Sequence, residues 1–117
     1  MAGLVSSPAT VAVMAPQKVV KTVIAQEQLG WTFLTNHGHV LVCITQDSQV
    51  RIAEIARLVG IGERAAHRIV SDLVDGGYVE RSRVGRRNVY AVRMEAALRH
   101  PLEAHHRLAE VFGPLAQ

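Results

Sequence analysis

The sequence predicts a mainly α domain with a small β-hairpin, an α+β chain whose helix, tight turn, helix and hairpin run from Arg51 to Val92. Three observations carry this. Ile52, Ile55, Ala56 and Val59 recur at helical spacing, and Ala66, Ile69, Val70 and Leu73 do so again further on. Gly60 falls between the two runs, where a residue without a Cβ can take the positive φ of a sharp turn. Two strand-like stretches, Tyr78–Val84 and Asn88–Val92, then flank Gly85-Arg86-Arg87. The fold predicted is a winged helix-turn-helix.

Residues 1–16 are small, apolar and interrupted by proline, so a flexible N-terminal arm is expected. In Gln17–Gln28, Val20, Val23, Ile24 and Glu27 fall at helical spacing, while the β-branched Val19, Val20, Val23 and Ile24 also suit a strand. Both readings stay open. Trp31–Leu34 is an apolar link, and Thr35 can cap a helix over Asn36–Gln46 that buries Val40, Leu41, Cys43 and Ile44. Asp47-Ser48 turns the chain, and Val50 is expected in a short first strand.

Ile61 plugs the corner of the motif and Gly62 serves as a modest N-cap. The recognition helix is expected over residues 63–76, closed by Gly76-Gly77, and the wing over residues 78–92. With the preceding helices these form a domain at residues 17–99. Pro101 is well placed to open a last helix at residues 100–113. Its apolar side would expose Leu108 and Phe112 unless a second subunit covered them. A homodimer joined through Leu102, Leu108, Val111 and Phe112 is therefore expected.

A length of 117 residues suits one domain, and 49% hydrophobic with 20% charged residues describes a folded chain. The single cysteine, Cys43, lies in the apolar run Val40–Ile44 and reads as a buried thiol in a reducing compartment. No apolar stretch reaches the ~18 residues of a membrane span. The N-terminus lacks a basic region before its apolar patch, which Pro16 interrupts, so no signal peptide is expected. A cytoplasmic protein without a membrane partner follows.

Net charge is only +3, but its placement is uneven: Arg51 to Arg93 holds nine arginines against five acids, and Arg81 to Arg87 holds four arginines and no acid. Arginine offers a rigid fork of donors suited to phosphate and guanine edges. On the recognition helix Arg64, Arg68 and Ser71 share one face opposite the apolar stripe, with His67 at its border. These residues, with Arg81, Arg83, Arg86, Arg87 and Asn88 of the wing, are the candidate DNA-binding set. Double-stranded DNA is the partner expected. A protein–protein module of the same fold would more typically carry an acidic or apolar face here.

Other chemistry finds little support. The chain has no Gly-rich phosphate loop, no nucleophile beside a base and no paired carboxylates in an apolar setting, so no enzyme is expected. His100 and His105 can share one side of the last helix, but no carboxylate or cysteine completes a recognised spacing; neither metal nor cofactor is predicted. His37 and His39 read as capping or core-edge residues. Trp31 and Phe33 can mark a small-ligand pocket, though a core or interface role is the plainer reading.

Asn36, His37, His39, Val40, Leu41, Ile44, the run Ile55–Val92, and Arg99, His100, Pro101, Leu102 and Glu103 together resemble the winged helix-turn-helix regulators of the MarR/ArsR type, in their small actinobacterial form. The resemblance covers roughly residues 31 to 112. It departs at Gly62, where such families usually place Ser or Thr, and the Cys-x-Cys of metal-sensing ArsR proteins is absent from IAEIARLVG. The resemblance implies a transcriptional regulator that binds an operator as a dimer. The second helix of the motif would enter the major groove, where Arg64 and Arg68 meet base edges or phosphates. Arg86 and Arg87 would lie over the minor groove or flanking backbone.

Overall fold

The computed structural model describes residues 29–116. The expected N-terminal arm and the helix-or-strand segment Gln17–Gln28 lie outside the described residues. Among these residues four helices and one hairpin follow in order: α1 (Asn36–Gln46), α2 (Ile52–Val59), α3 (Glu63–Asp75), β1 (Val79–Val84), β2 (Arg87–Val92) and α4 (Leu108–Leu115). This is a helix-turn-helix with a two-stranded antiparallel wing.

Helix α1 starts where a hydroxyl meets an orphan amide: Thr35 Oγ1 accepts from the Gly38 N–H at 3.3 Å. It buries Val40, Leu41, Cys43 and Ile44. Helix α2 buries Ile55, Ala56 and Val59, and α3 buries Ala66, Ile69, Val70 and Leu73. These stripes meet Val50, Val79, Tyr90, Leu108 and Phe112 in one core. Burial of each large side chain stabilises by roughly 1.5–3 kcal/mol, so the angle between α2 and α3 is set by the apolar pattern. Gly60 caps α2 at φ 86°, and Gly60 and Ile61 both donate to the Ala56 carbonyl, at 2.8 and 3.0 Å. Gly76 remains right-handed at the end of α3, and Gly77, at φ 84°, supplies the left-handed turn into the wing.

Three expectations about the periphery are corrected. Val50 is buried but forms no strand; instead the Ser48 carbonyl accepts from the Tyr90 N–H at 2.8 Å and ties the pre-α2 turn to β2. The last helix begins at Leu108, and residues 99–106 form turns around Pro101. Long-range backbone bonds decide this: Leu98 N–H donates to His106 O, Leu108 N–H to Ala96 O and Ala109 N–H to Met94 O. A helix opening at Pro101 would break that pairing.

The third correction concerns the expected dimer contacts. Leu108 is 2% exposed and Phe112 6%, both within this chain's own core, and Val111 is half-buried against it. Docking of α4 on α1 covers them, helped by Gln46 Nε2, which donates to the Leu115 carbonyl at 3.1 Å. Of the expected dimer residues, only Leu102 stands open to solvent, at 80%. Trp31 and Phe33, expected in a core or interface, do not enter this core: they are exposed and pack edge-to-face on each other at 4.9 Å.

Candidate nucleic-acid interface

Because Ala66, Ile69, Val70 and Leu73 point into the core, the opposite face of α3 must point out. Arg64, His67 and Arg68 are exposed there and Ser71 is half-buried. Gly62, the N-cap, makes no side-chain cap bond, and a Cβ at that position would meet nothing within 4 Å.

The wing register pairs Val79 with Val92, Arg81 with Tyr90, Arg83 with Asn88 and Val84 with Arg87. Directly opposed residues share a face of the hairpin. Arg81, Arg83 and Asn88 therefore extend the face whose base is buried through Val79 and Tyr90. Arg87 belongs to the other face. The turn is two residues, Gly85 and Arg86, with a positive φ of 63° at Gly85 alone, as a type II′ turn requires. The expected three-residue tip is thus corrected: Arg87 starts β2. Its Nη2 donates to the Gln49 carbonyl at 3.1 Å, which holds the guanidinium against the turn before α2.

The ion pairs sort the arginines by location. Arg57 pairs with Glu54 at 2.7 Å, and Arg93 with Glu80 at 3.3 Å and Glu95 at 3.5 Å. Hydrogen bonding to Glu54 raises the Arg57 pKa further above its ordinary value. Arg107 donates to the Glu95 carbonyl, and the Arg99 guanidinium lies 6.0 Å from the Tyr78 ring centroid. Among the described residues no carboxylate pairs with Arg64, Arg68, Arg81, Arg83, Arg86 or Arg87. Arg99 and Arg107 also lack a carboxylate among the described residues, but the arginines without one concentrate on α3 and the wing, a face that attracts phosphate. Arg51 joins them. Sequence reasoning had counted its charge without giving it a role, and the available signal was its place just before Ile52, the first apolar position of the motif.

The other side of the molecule has a different character. A groove of about 1060 Å³ runs between the start of α1, the end of α3 and the turns after residue 98, with Phe33, Leu34, Leu73, Tyr78 and Leu102 among its walls. At its edge His37 Nε2 lies 2.8 Å from Asp72 Oδ2 and bridges α1 to α3, a core-edge role. His106 is hydrogen-bonded to Glu110 and holds that carboxyl below the usual range, while the His105 ring lies tilted beside that of His106, with centroids 4.6 Å apart. Among the described residues no group of three or more His, Cys, Asp or Glu is arranged to hold a metal ion. No helix among them is long and apolar enough to cross a membrane.

With this geometry in view, comparison with known families is specific. Residues 36–83 match the IclR helix-turn-helix domain. The match begins at the first residue of α1 and ends inside β1, so it contains α2, the turn and all of α3. The searches of curated proteins and of solved structures gave no match. The likeness to MarR/ArsR-type regulators thus holds at the level of a helix-turn-helix regulator. Residues 36–83 are similar to the IclR helix-turn-helix domain, and the chain carries the helix-turn-helix DNA-binding domain of a transcriptional regulator.

Proposed function

We propose that the protein is a sequence-specific regulator that grips duplex DNA as a homodimer, with α3 in the major groove and the wing over the flanking backbone. The observation that carries this reading is the face of arginines without a carboxylate partner among the described residues, Arg64 and Arg68 on α3 and Arg81, Arg83 and Arg86 on the wing. Arg68 stands in the middle of the α3 face, where a guanidinium can donate to guanine O6 and N7. Arg64 lies one turn earlier, with Ser71 and His67 beside them. Arg83, Arg86 and Asn88 surround the tip of the hairpin, within reach of the minor groove and its phosphates. The winged form keeps the chain close to the MarR/ArsR kind in our reading, and a cytoplasmic location suits that role. The mechanism needs no cofactor and no catalytic residue.

With Leu108 and Phe112 inside the protomer, the dimer contact we favour is the exposed apolar set Trp31, Phe33 and Leu102, which are 70%, 92% and 80% exposed. Two subunits would then read half-sites about one helical turn apart. Selection of bound duplexes from a random library, with light scattering on the purified protein, tests both parts. One enriched motif with two-fold symmetry and a mass twice 12.8 kDa is expected. A monomer at micromolar concentration would remove the two half-sites, and a library without enrichment would favour a protein-interaction role. A ligand-responsive regulator is the second reading. It is favoured by the groove, whose walls include Leu73 and Gly76 at the end of α3.

A further inference from the structure

A second cleft, of about 380 Å³, lies between the turn before α2 and the tip of the wing. Arg51, Arg86 and Arg87 line it together with Gln49 and Asn88, and no acidic residue does. Arg51 and Arg86 have no ion-pair partner among the described residues, and Glu54, the nearest acid along α2, is engaged by Arg57. The cleft is built from both sides. Gln49 N–H donates to Asp47 Oδ1 at 3.0 Å and Val50 N–H to the Asp47 carbonyl at 3.1 Å, which fixes the turn. Tyr90 N–H donates to Ser48 O at 2.8 Å, and Arg87 Nη2 donates to Gln49 O at 3.1 Å, which pin the wing across it. Three arginines around one concavity, one of them held by its bond to Gln49 O, concentrate positive charge that an anion would offset.

We propose that this cleft is a clamp for one phosphodiester of the duplex backbone, and that Arg51, which belongs neither to α3 nor to the wing, is a DNA-binding residue. Arg51 and Arg87 grip the phosphate from the body and wing sides, and Arg86 closes the outer edge. A guanidinium fork suits a phosphate oxygen pair, and such charge-assisted bonds are shorter and stronger than neutral ones. The clamp reads no base. It sets how far the wing lies from α3 along the groove, and so fixes the register in which Arg68 meets the bases.

The inference rests on the DNA-binding reading, and three variants separate the two. Wild type, Arg51→Ala, Arg51→Lys and Arg57→Ala would be titrated with a random-sequence 20-bp duplex over a range of salt, after thermal melts show that each is folded. Arg51→Ala is expected to weaken duplex binding about tenfold and to flatten the plot of log affinity against log salt by about 1 per subunit. Arg51→Lys should keep the slope while losing part of the affinity, because it keeps the charge without the fork. Arg57→Ala, paired on the same helix, should change neither. An Arg51→Ala variant with the wild-type slope overturns the clamp while leaving the DNA reading intact. Absence of duplex binding by the wild type overturns both. The source of the anion is checked by following the Ile52 and Arg87 backbone amide signals with the duplex and with inorganic phosphate alone. Saturable shifts with free phosphate at sub-millimolar concentration, and none with the duplex, would overturn the backbone clamp in favour of a free-anion site.

Discussion

The two sides of this molecule differ less in how many charges they hold than in how those charges are partnered. On the side formed by α3 and the wing, Arg64, Arg68, Arg81, Arg83 and Arg86 have no carboxylate partner among the described residues. Around the groove, His37 and His106 are hydrogen-bonded to Asp72 and Glu110, Arg99 lies over the Tyr78 ring, and large apolar groups stand between them. Exposed ion pairs contribute little to stability, about 0–1 kcal/mol each. What such pairs change is the surface potential, since a carboxylate offsets the cation it meets, and the arginines of α3 and the wing meet none among the described residues. A duplex is attracted to the uncancelled side; an apolar partner or ligand suits the other.

The largest consequence is in salt. If each subunit of a dimer sets about four arginines against phosphates, log affinity should fall with log salt at a slope of roughly −7. Between 50 and 200 mM salt that is a loss on the order of ten-thousand-fold. Removing Arg93, which is already paired, should leave the slope where it was. A wild-type slope near zero would erase the distinction between the two sides and turn the arginine face into an ordinary solvated surface.

Next comes the contrast between Leu108 and Leu102, two leucines expected from the sequence to act alike. Leu108→Ala should destabilise the protomer by about 2–5 kcal/mol, since it opens a cavity under α4. Leu102→Ala should change protomer stability by less than about 0.5 kcal/mol, while shifting the population toward monomer if that face joins two subunits. Chemical denaturation and light scattering read the two effects separately. Loss of stability in Leu102→Ala would mean that the groove wall is part of the fold.

Why the two leucines looked alike shows where sequence reasoning stops. The helices α1, α2 and α3, the Thr35 cap and the turn at Gly60 were legible because each is written in neighbouring residues: an apolar stripe every three or four positions, a hydroxyl before a helix, a glycine between two. The hairpin was legible for the same reason, although its turn is one residue shorter than expected. The start of α4 was not. Pro101 is a good opening residue, but the chain there is committed to bonds from Leu98 to His106 and from Leu108 to Ala96. The same holds for the interface. Arg68 could be placed on the outer face of α3 by periodicity, whereas the cleft that joins Arg51 to Arg87 depends on a bond across 38 residues.

Within the arginine face a finer division follows from reach. Arg68→Ala should cost about 1–3 kcal/mol on a selected operator and relax preference at one base pair per half-site. Arg87→Ala should weaken operator and random duplex together and flatten the salt slope by about 1 per subunit, because its guanidinium is held at the turn before α2 and away from the base edges. Competition binding against a panel of single-base operator variants separates them. Altered base preference in Arg87→Ala, with uniform weakening in Arg68→Ala, would reverse the two roles.

The smallest expected effect tests whether the face depends on charge or on helix geometry. Gly62 caps α3 without a side-chain bond, at an ordinary φ of −75° and with open space where a Cβ would go. Ser at this position can accept from the free amides of the first turn, which adds a few tenths of a kcal/mol over glycine. Removing glycine's freedom from the unfolded chain adds about 0.4–1 kcal/mol more. Gly62→Ser should therefore raise the melting temperature by a few degrees. Because it adds no charge, the salt slope should not move, and any gain in duplex affinity should be the same at low and high salt. A lower melting temperature would show that α3 needs the glycine itself. A steeper slope would mean that the cap had drawn Arg64 closer to the phosphates, and that position on the helix as well as charge sets how many counterions the face releases.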